Sequence, residues 1–164
     1  MFKNVVMKNV IQDKQATISI LKALMTDIKN GILCTSTGKN DFPNVQTVHT
    51  KEMDRNGNLF FIFSSEIRPY QNLQTNEEIR LIYTIPHKSE FLLVTGTAET
   101  SNNISSIEKY WSVYNAKDFA KGKRDPTIRV LKIAVEYSKV FKSASTGMVD
   151  YLKLLGRIIA NTHE

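Results

Sequence analysis

Two hydrophobic periodicities divide the chain, one of three to four residues near the N-terminus and one of two residues through its middle. The first predicts a helix over residues 17–29 with a single apolar face. That face comprises Ile18, Leu21, Met25 and Ile28. The Thr17 hydroxyl is expected to cap the start of the helix, and Asn30-Gly31 to end it in a left-handed conformation.

Alternating apolar and β-branched residues predict six strands, joined mostly by turns of hairpin length. The predicted strands cover residues 31–37, 44–53, 59–63, 79–85, 90–100 and 128–137. Asn56-Gly57 predicts a hairpin turn, because both residues tolerate positive φ. Gly96 lies inside a strand and indicates a bulge or a close backbone approach. Consecutive short connections favour an antiparallel sheet that closes to hide its edges.

Helical signals lie between and after these strands. A short helix is predicted from the serines before Pro69 to about Asn76, and a capping box at Ser105–Glu108 predicts another. Residues 115–126 are expected to form a polar, basic loop, and residues 147–160 an amphipathic C-terminal helix. We therefore expect a mainly β fold, with six strands in a small antiparallel barrel and flanking helices at both ends. We expect residues 1–164 to form one domain with a core over 17–143.

Composition narrows the class of protein. The 164 residues are 41% hydrophobic and 23% charged, which suits one globular domain, and the net charge of +6 favours an anionic partner. The single cysteine, Cys34, excludes an intramolecular disulfide and favours a reducing compartment. With no secretory signal and no long apolar run, a cytoplasmic location away from membranes is expected.

The sequence gives little support for a metal site or for a catalytic nucleophile. The histidines His49, His87 and His163 lie in unrelated segments, so no metal site is predicted. Cys34 and His49 fall on strands that could pair, which would allow an imidazole-activated thiolate, but a buried inert thiol is the favoured interpretation.

Two segments carry anion-binding chemistry. Ser64, Ser65 and Arg68 lie where a strand is followed by a helix, so hydroxyls, amides and a guanidinium could meet there. The alternative is a capped helix with a solvated arginine, which the chemistry of these residues alone slightly favours. Residues 117–132 carry six cations and two carboxylates, with Phe119 alone among aromatics. Because nucleic-acid surfaces interleave cations with aromatics, this segment favours the mouth of a ligand site or a solvated face over a nucleic-acid interface.

The order of these segments resembles a known family. GILCTST, DRNGNLFFIFS, IRLIYT, FLLVTGTAE and the SASTGMVDYLKLLGRIIA tail are together similar to the FMN-binding split barrel of the pyridoxamine-phosphate-oxidase-like superfamily, in its general stress protein 26 branch. The resemblance spans about residues 17–160. It implies a six-stranded split barrel that dimerises and holds FMN in clefts between two subunits.

The resemblance also assigns residues to the cofactor. Arg68 matches the arginine of the Ser-Arg-Lys phosphate motif, whereas Ile67 and Pro69 replace its serine and lysine, so Ser64 or Ser65 would have to compensate. Residues beside the flavin ring would be Gln46, Thr47, Val48, Phe63 and, from the other subunit, Trp111. The chain ends in a predicted helix instead of the arginine-containing strand of true pyridoxamine phosphate oxidases, which argues against that activity.

Three functions follow as hypotheses. The first is a dimeric FMN-dependent oxidoreductase in which the flavin carries the redox chemistry and NAD(P)H or another small molecule is the redox partner. The second is a barrel that binds flavin or haem without turnover, as a stress sensor would. The third is a basic nucleic-acid-binding barrel, supported by charge alone. No side chain identifies the catalytic acid, base or substrate, so the sequence leaves turnover itself open.

Overall fold

The computed structural model describes residues 6–11, 14–38, 43–85 and 90–142 of the chain. The three helices are α1 (Lys14–Met25), α2 (Arg68–Leu73) and α3 (Ile104–Tyr110). The eight strands are β1 (Val6–Ile11), β2 (Asn30–Thr35), β3 (Asn44–His49), β4 (Glu52–Met53), β5 (Asn58–Ser64), β6 (Glu78–Ile85), β7 (Glu90–Ser101) and β8 (Ile128–Lys142). Two 3-10 turns, Val113–Asp118 and Gly122–Arg124, connect α3 to β8.

All strand pairs are antiparallel, in the order β3-β2-β6-β7-β8-β5-β4, with β1 added along β8. The predicted mainly β, antiparallel split barrel is therefore confirmed, although the described residues contain eight strands where six were predicted. The N-terminal strand β1 was not predicted. The predicted strand 44–53 is two strands, β3 and β4, at opposite ends of the sheet order.

The break between β3 and β4 closes the barrel. The Thr50 amide donates to the carbonyl of Lys29 (2.7 Å), the residue just before β2, whereas the next amide, of Lys51, donates to the Phe60 carbonyl of β5 (2.8 Å). The backbone thus changes partner between two consecutive residues. One extended run of sequence thereby joins the two ends of the sheet, which explains why a single strand was predicted there.

The core lies inside this curled sheet. Leu33, Leu59, Phe61, Leu81 and Leu131 are among its fully buried side chains. They come from β2, β5, β6 and β8, and Leu92 of β7 is fully buried as well, so burial of apolar area holds these five strands together. A second apolar cluster forms on the outer face of β5 and β8, where α3 packs.

The ends of α1 differ from the prediction. The helix begins at Lys14, so Thr17 lies inside it, fully buried, and its Oγ1 accepts a hydrogen bond from Ser138 Oγ of β8 (3.4 Å). Gly31 lies in β2 and outside the left-handed region, because the described glycines with positive φ are Gly38, Gly57 and Gly122. It is instead a close-packing position, since a Cβ there would lie 2.7 Å from Tyr83 Cε1.

The start of α3 also differs. Its N-cap is Asn103, whose side chain accepts from the Ser106 amide (3.2 Å), and not the predicted Ser105 capping box. The helix ends at Tyr110, and a capping box of Ser112 and Asn115 opens the following 3-10 turn. The predicted C-terminal helix at 147–160 lies outside the described residues.

Both predicted glycine signals are confirmed. The register between β7 and β8 shifts at Thr95/Gly96, and a Cβ on Gly96 would collide with the Ala134 carbonyl oxygen. Gly57 has a φ of +84° in the turn between β4 and β5, where its amide donates to the Asp54 carbonyl (3.2 Å). A Cβ on Gly57 would lie 2.6 Å from Ile18 Cγ1.

Substituting Gly57 with Ala should therefore lower the free energy of unfolding more than substituting Gly122. Both glycines have positive φ, which costs an L-residue about 1–2 kcal/mol, but nothing lies within 4 Å of a Cβ on Gly122. We expect a loss of about 1 kcal/mol for Gly122→Ala and about 2–3 kcal/mol for Gly57→Ala in urea unfolding. Equal losses would show that the contact with Ile18 relaxes freely.

Candidate functional site

The end of β5 positions the predicted phosphate-binding residues. Ser64 is the last residue of β5 and pairs with Ile128 of β8. The Ser65 amide then donates to the Thr127 carbonyl (2.8 Å), so the turn into α2 is anchored to the start of β8. Arg68 is the first residue of α2, and its side chain is exposed. The structure thus places Ser64, Ser65 and Arg68 within one turn at the surface.

The backbone amides of this turn are largely used within the protein. Glu66 N donates to Ser64 Oγ (3.1 Å), Ile67 N to Ser64 O (3.4 Å) and Tyr70 N to Ile67 O (3.1 Å). Pro69 has no N–H and is buried in the first turn of α2. Side-chain hydroxyls and guanidinium groups would therefore have to supply most donors to an anion here, instead of the free amides that the sequence suggested.

Arg129 adds a second guanidinium to the region of Ser64 and Arg68. From the sequence alone it was only one of the cations in the basic segment 117–132. In the β5–β8 register it lies opposite Phe63, one residue before Ser64. Its guanidinium lies 5.5 Å from the centre of the Tyr70 ring of α2, and Nη1 donates to the Pro126 and Ile128 carbonyls (2.9 and 2.8 Å). An antiparallel pairing of residues 58–64 with 128–134 would have predicted from the sequence that Arg129 lies near Ser64.

The predicted ring-binding residues of β3 are divided between solvent and core. Gln46 and Thr47 are exposed, whereas Val48 is 7% exposed and packs in the core. Because β3 ends the sheet order and lies against α2 and β5, the exposed Gln46 and Thr47 belong to a strand that contacts the helix of Arg68.

Phe63 and Trp111 have other surroundings. Phe63 is 6% exposed in the core and packs edge-on against Tyr70 of α2, with ring centres 6.0 Å apart. This contact packs α2 against the barrel core. Trp111 caps the C-terminus of α3 and packs against Phe119 at 5.8 Å, in the cluster on the outer face of the barrel. Within one chain the structure does not bring Trp111 into the core cluster of Phe63 and Val48.

The basic segment does not form a single surface. Lys117, Lys121, Lys123 and Arg124 are exposed on the connection to β8, whereas Arg129 and Lys132 are half-buried on the strand itself. Asp125 organises the connection, because its Oδ1 accepts from the Thr127 amide (3.0 Å) and hydroxyl (2.7 Å). These bonds, first that from the amide, lower the pKa of Asp125.

A second polar network joins the β3–β4 junction to the connection after α3. Lys51 Nζ donates to Ser112 Oγ and to Asn115 Oδ1, both at 2.9 Å. The pKa of Lys51 is lowered by desolvation, and both acceptors are uncharged. Glu52 beside it pairs with Lys109 of α3 (2.9 Å).

The Cys34–His49 alternative is excluded by the register. Cys34 pairs with Val45 and His49 pairs with Asn30, so the two lie at opposite ends of the β2–β3 hairpin. At about 3.4 Å per residue, this separation is roughly 13 Å along the strand. Cys34 is 4% exposed, and burial raises its pKa to about 12. The predicted burial of this thiol is confirmed, and its inertness follows as a prediction.

Cys34 should therefore not react with a thiol reagent while the protein is folded. At pH 8 a pKa of about 12 leaves a negligible thiolate fraction, and the thiolate is the reactive species. Mixing with dithionitrobenzoate should release no colour in buffer and one equivalent in denaturant. Rapid reaction of the native protein would contradict the burial of this residue.

Neither a metal cluster nor a spanning helix is found in the described part of the chain. No three His, Cys, Asp or Glu side chains lie close enough there to hold an ion. His87 and His163 lie outside the described residues. Of the helices described, none is long and apolar enough to cross a membrane. The cytoplasmic location stays a prediction.

Comparison with known proteins gives a family match. The family model for pyridoxamine 5'-phosphate oxidase like proteins matches residues 16–163. No curated protein matches the sequence at a significant level.

Solved structures share the fold at low sequence identity. A Clostridium acetobutylicum protein related to general stress protein 26, of the pyridoxinephosphate oxidase family, superposes with a TM-score of 0.66 at 20% identity, covering 79% of this chain and 91% of its own. General stress protein 26 of Bacillus anthracis gives 0.63 at 15% identity, with 77% and 97% covered. The general stress FMN/FAD binding protein of Xanthomonas citri gives 0.62 at 18%, with 83% and 94% covered.

Proposed function

Because the chain belongs to the pyridoxamine 5'-phosphate oxidase-like family, we propose that it binds FMN and acts as a flavin-dependent oxidoreductase on a small molecule. The observation that carries the proposal is the group of polar side chains at the end of β5. Ser64 and Ser65 lie at the end of β5, and Arg68 follows as the first residue of α2, the helix that contacts the edge strand β3. A similar fold belongs to a protein described as FMN/FAD binding.

The residues of this turn fit the phosphate end of FMN. An exposed guanidinium and two hydroxyls are donors suited to a phosphate, and the Arg129 guanidinium over Tyr70 adds positive charge behind them. Ile67 and Pro69 contribute neither a hydroxyl nor an ammonium. The phosphate would therefore depend on Arg68 more than it does where the full Ser-Arg-Lys motif is present.

The ring would lie along β3. Exposed Gln46 and Thr47, with the backbone edge of this end strand, offer donors and acceptors for the polar edge of isoalloxazine. The side chains of Val48 and Phe63 are buried, so they would set the shape of the wall while their backbone faces the ligand. The bound flavin supplies hydride or electron transfer, and the chain's own residues bind and orient it.

A second copy of the chain would complete the cleft. Ile104, Val113 and Tyr114 are apolar residues 75–80% exposed around α3, beside Trp111. Large apolar side chains left in solvent favour association, and a symmetric dimer would bury them twice. The sedimentation mass of the purified protein should be twice the 18.7 kDa of one chain. A mass of one chain would remove the intersubunit cleft from the proposal.

The proposed function is tested by the absorption spectrum of the purified protein. We expect flavin bands, release of FMN on heating and bleaching by NADH or NADPH under anaerobic conditions. A protein that binds FMN but is reduced by neither nucleotide would favour the non-catalytic alternative. Haem bands would identify a different planar ligand. A colourless protein unaffected by added FMN, with salt-sensitive oligonucleotide binding, would replace the proposal with the nucleic-acid alternative.

A further inference from the structure

A cleft of about 270 Å³ opens between the end of α1 and the β3–β4 junction. Lys22 and Lys29 border it from the α1 side, Lys51 and Glu52 from the junction, and Met25 and Met53 complete its wall. None of the residues proposed to bind FMN lines this cleft. It is therefore a separate feature of the molecule.

The charge around the cleft is unbalanced. Its one carboxylate, Glu52, is already paired with Lys109 (2.9 Å), and the acceptors of Lys51 are uncharged. Among the described residues, Lys22 and Lys29 form no ion pair with a carboxylate. The positive charge also affects the neighbouring His49. Desolvation lowers the pKa of His49, and the charges of Lys51 and Lys29 lower it further.

We propose that this cleft binds the phosphate group of a small phosphorylated molecule through Lys22 and Lys29, with Lys51 at its rim. Lys22 and Lys29 border one concave space without a carboxylate partner among the described residues, so a bound polyanion would neutralise their charge. The Lys51 ammonium is held at the rim by Ser112 and Asn115 and adds positive charge there. A volume of about 270 Å³ admits a small molecule. Thioethers of Met25 and Met53 provide an adaptable apolar wall for the remainder of the ligand.

Methyl groups of the two methionines provide a local test. The chain has five methionines, and NMR signals of Met25 and Met53 can be assigned with Met25→Leu and Met53→Leu variants. Pyrophosphate is the probe, added at constant ionic strength with chloride as the compensating anion. Both signals should shift saturably with pyrophosphate and not with chloride. Absence of a saturable shift in the wild-type protein would overturn the proposal.

Matched charge variants identify the ligands. Lys22→Gln and Lys29→Gln should each weaken pyrophosphate binding by about five- to tenfold. Lys14→Gln removes the same charge from the exposed first turn of α1, roughly 12 Å from Lys22, and should change the affinity less than twofold. An equal loss in all three variants would show a diffuse charge effect and overturn the proposal.

The outcome is independent of the flavin proposal. Arg68 does not line the cleft, so Arg68→Ala should retain the methionine shifts with pyrophosphate. Shifts retained in a protein that binds no FMN would support this cleft while removing the flavin site. Shifts lost in Arg68→Ala would assign the pyrophosphate to the turn before α2 and overturn the cleft.

Discussion

Arg68→Ala should weaken FMN binding about tenfold and leave riboflavin binding unchanged, because riboflavin has the same ring and ribityl chain without the phosphate. A charge-assisted contact between guanidinium and phosphate is among the stronger hydrogen bonds, and about 1.4 kcal/mol corresponds to a factor of ten. The effect should not exceed about tenfold, because Arg68 is exposed and its charge is screened by solvent. Fluorescence quenching of each flavin on titration with protein measures both affinities.

Arg55→Ala is the matched control for this experiment. Arg55 is also exposed, but it lies in the turn between β4 and β5, and its removal changes the net charge equally. It should reduce FMN affinity less than twofold. If Arg68→Ala weakens FMN and riboflavin to the same degree, Arg68 acts on the ring or on the fold, and the phosphate assignment is wrong.

Phe61→Ala should lower the free energy of unfolding by about 3–5 kcal/mol, the largest effect expected of a single substitution here. Phe61 is fully buried in the middle of β5, opposite Leu131 of β8, at the centre of the barrel core. Truncation removes its apolar contacts and leaves a cavity that the surrounding strands cannot close completely. The midpoint of urea unfolding and a fall in Tm of roughly 10 °C would report it.

Phe61→Leu separates the cavity from the loss of the ring itself. Leucine restores most of the apolar volume, so a loss of about 1–1.5 kcal/mol is expected. Equal destabilisation by leucine and alanine would mean that the aromatic ring is specifically required. A loss below 1 kcal/mol for alanine would contradict the central place of Phe61 in the core.

The local chemistry of the turns was largely predictable. Gly57 and Gly96 behave as their residue type requires, since Gly57 has positive φ and Gly96 lies close to the Ala134 backbone, and both conditions disfavour a side chain. The helix ends were less predictable. Thr17 and Ser105 carry hydroxyls suited to capping, but Thr17 is buried inside α1 and Asn103 caps α3. Several nearby residues can cap equally well, so packing selects among them.

The candidate site was predicted in part. Ser64, Ser65 and Arg68 are neighbours in sequence, and the structure keeps them in one surface turn. Arg129 is some sixty residues away, and only the β5–β8 register places it opposite Phe63. The register between β2 and β3 likewise places Cys34 and His49 at opposite ends of the hairpin. Knowing only that the two residues lie on paired strands does not reveal this separation.

The sequence by itself determined most of the strands, where the tight turns lie and that positive charge exceeds negative, but not β1 or the break between β3 and β4. These properties depend on periodicity, steric limits on φ and composition, all of which are local. The tertiary structure decided how the barrel closes at Thr50 and Lys51, how Arg129 joins the turn before α2 and how Lys22, Lys29 and Lys51 come to border one cleft. Each of these depends on strand register and packing between distant segments, and a single residue's shift in register would move every side chain to the other face of the sheet.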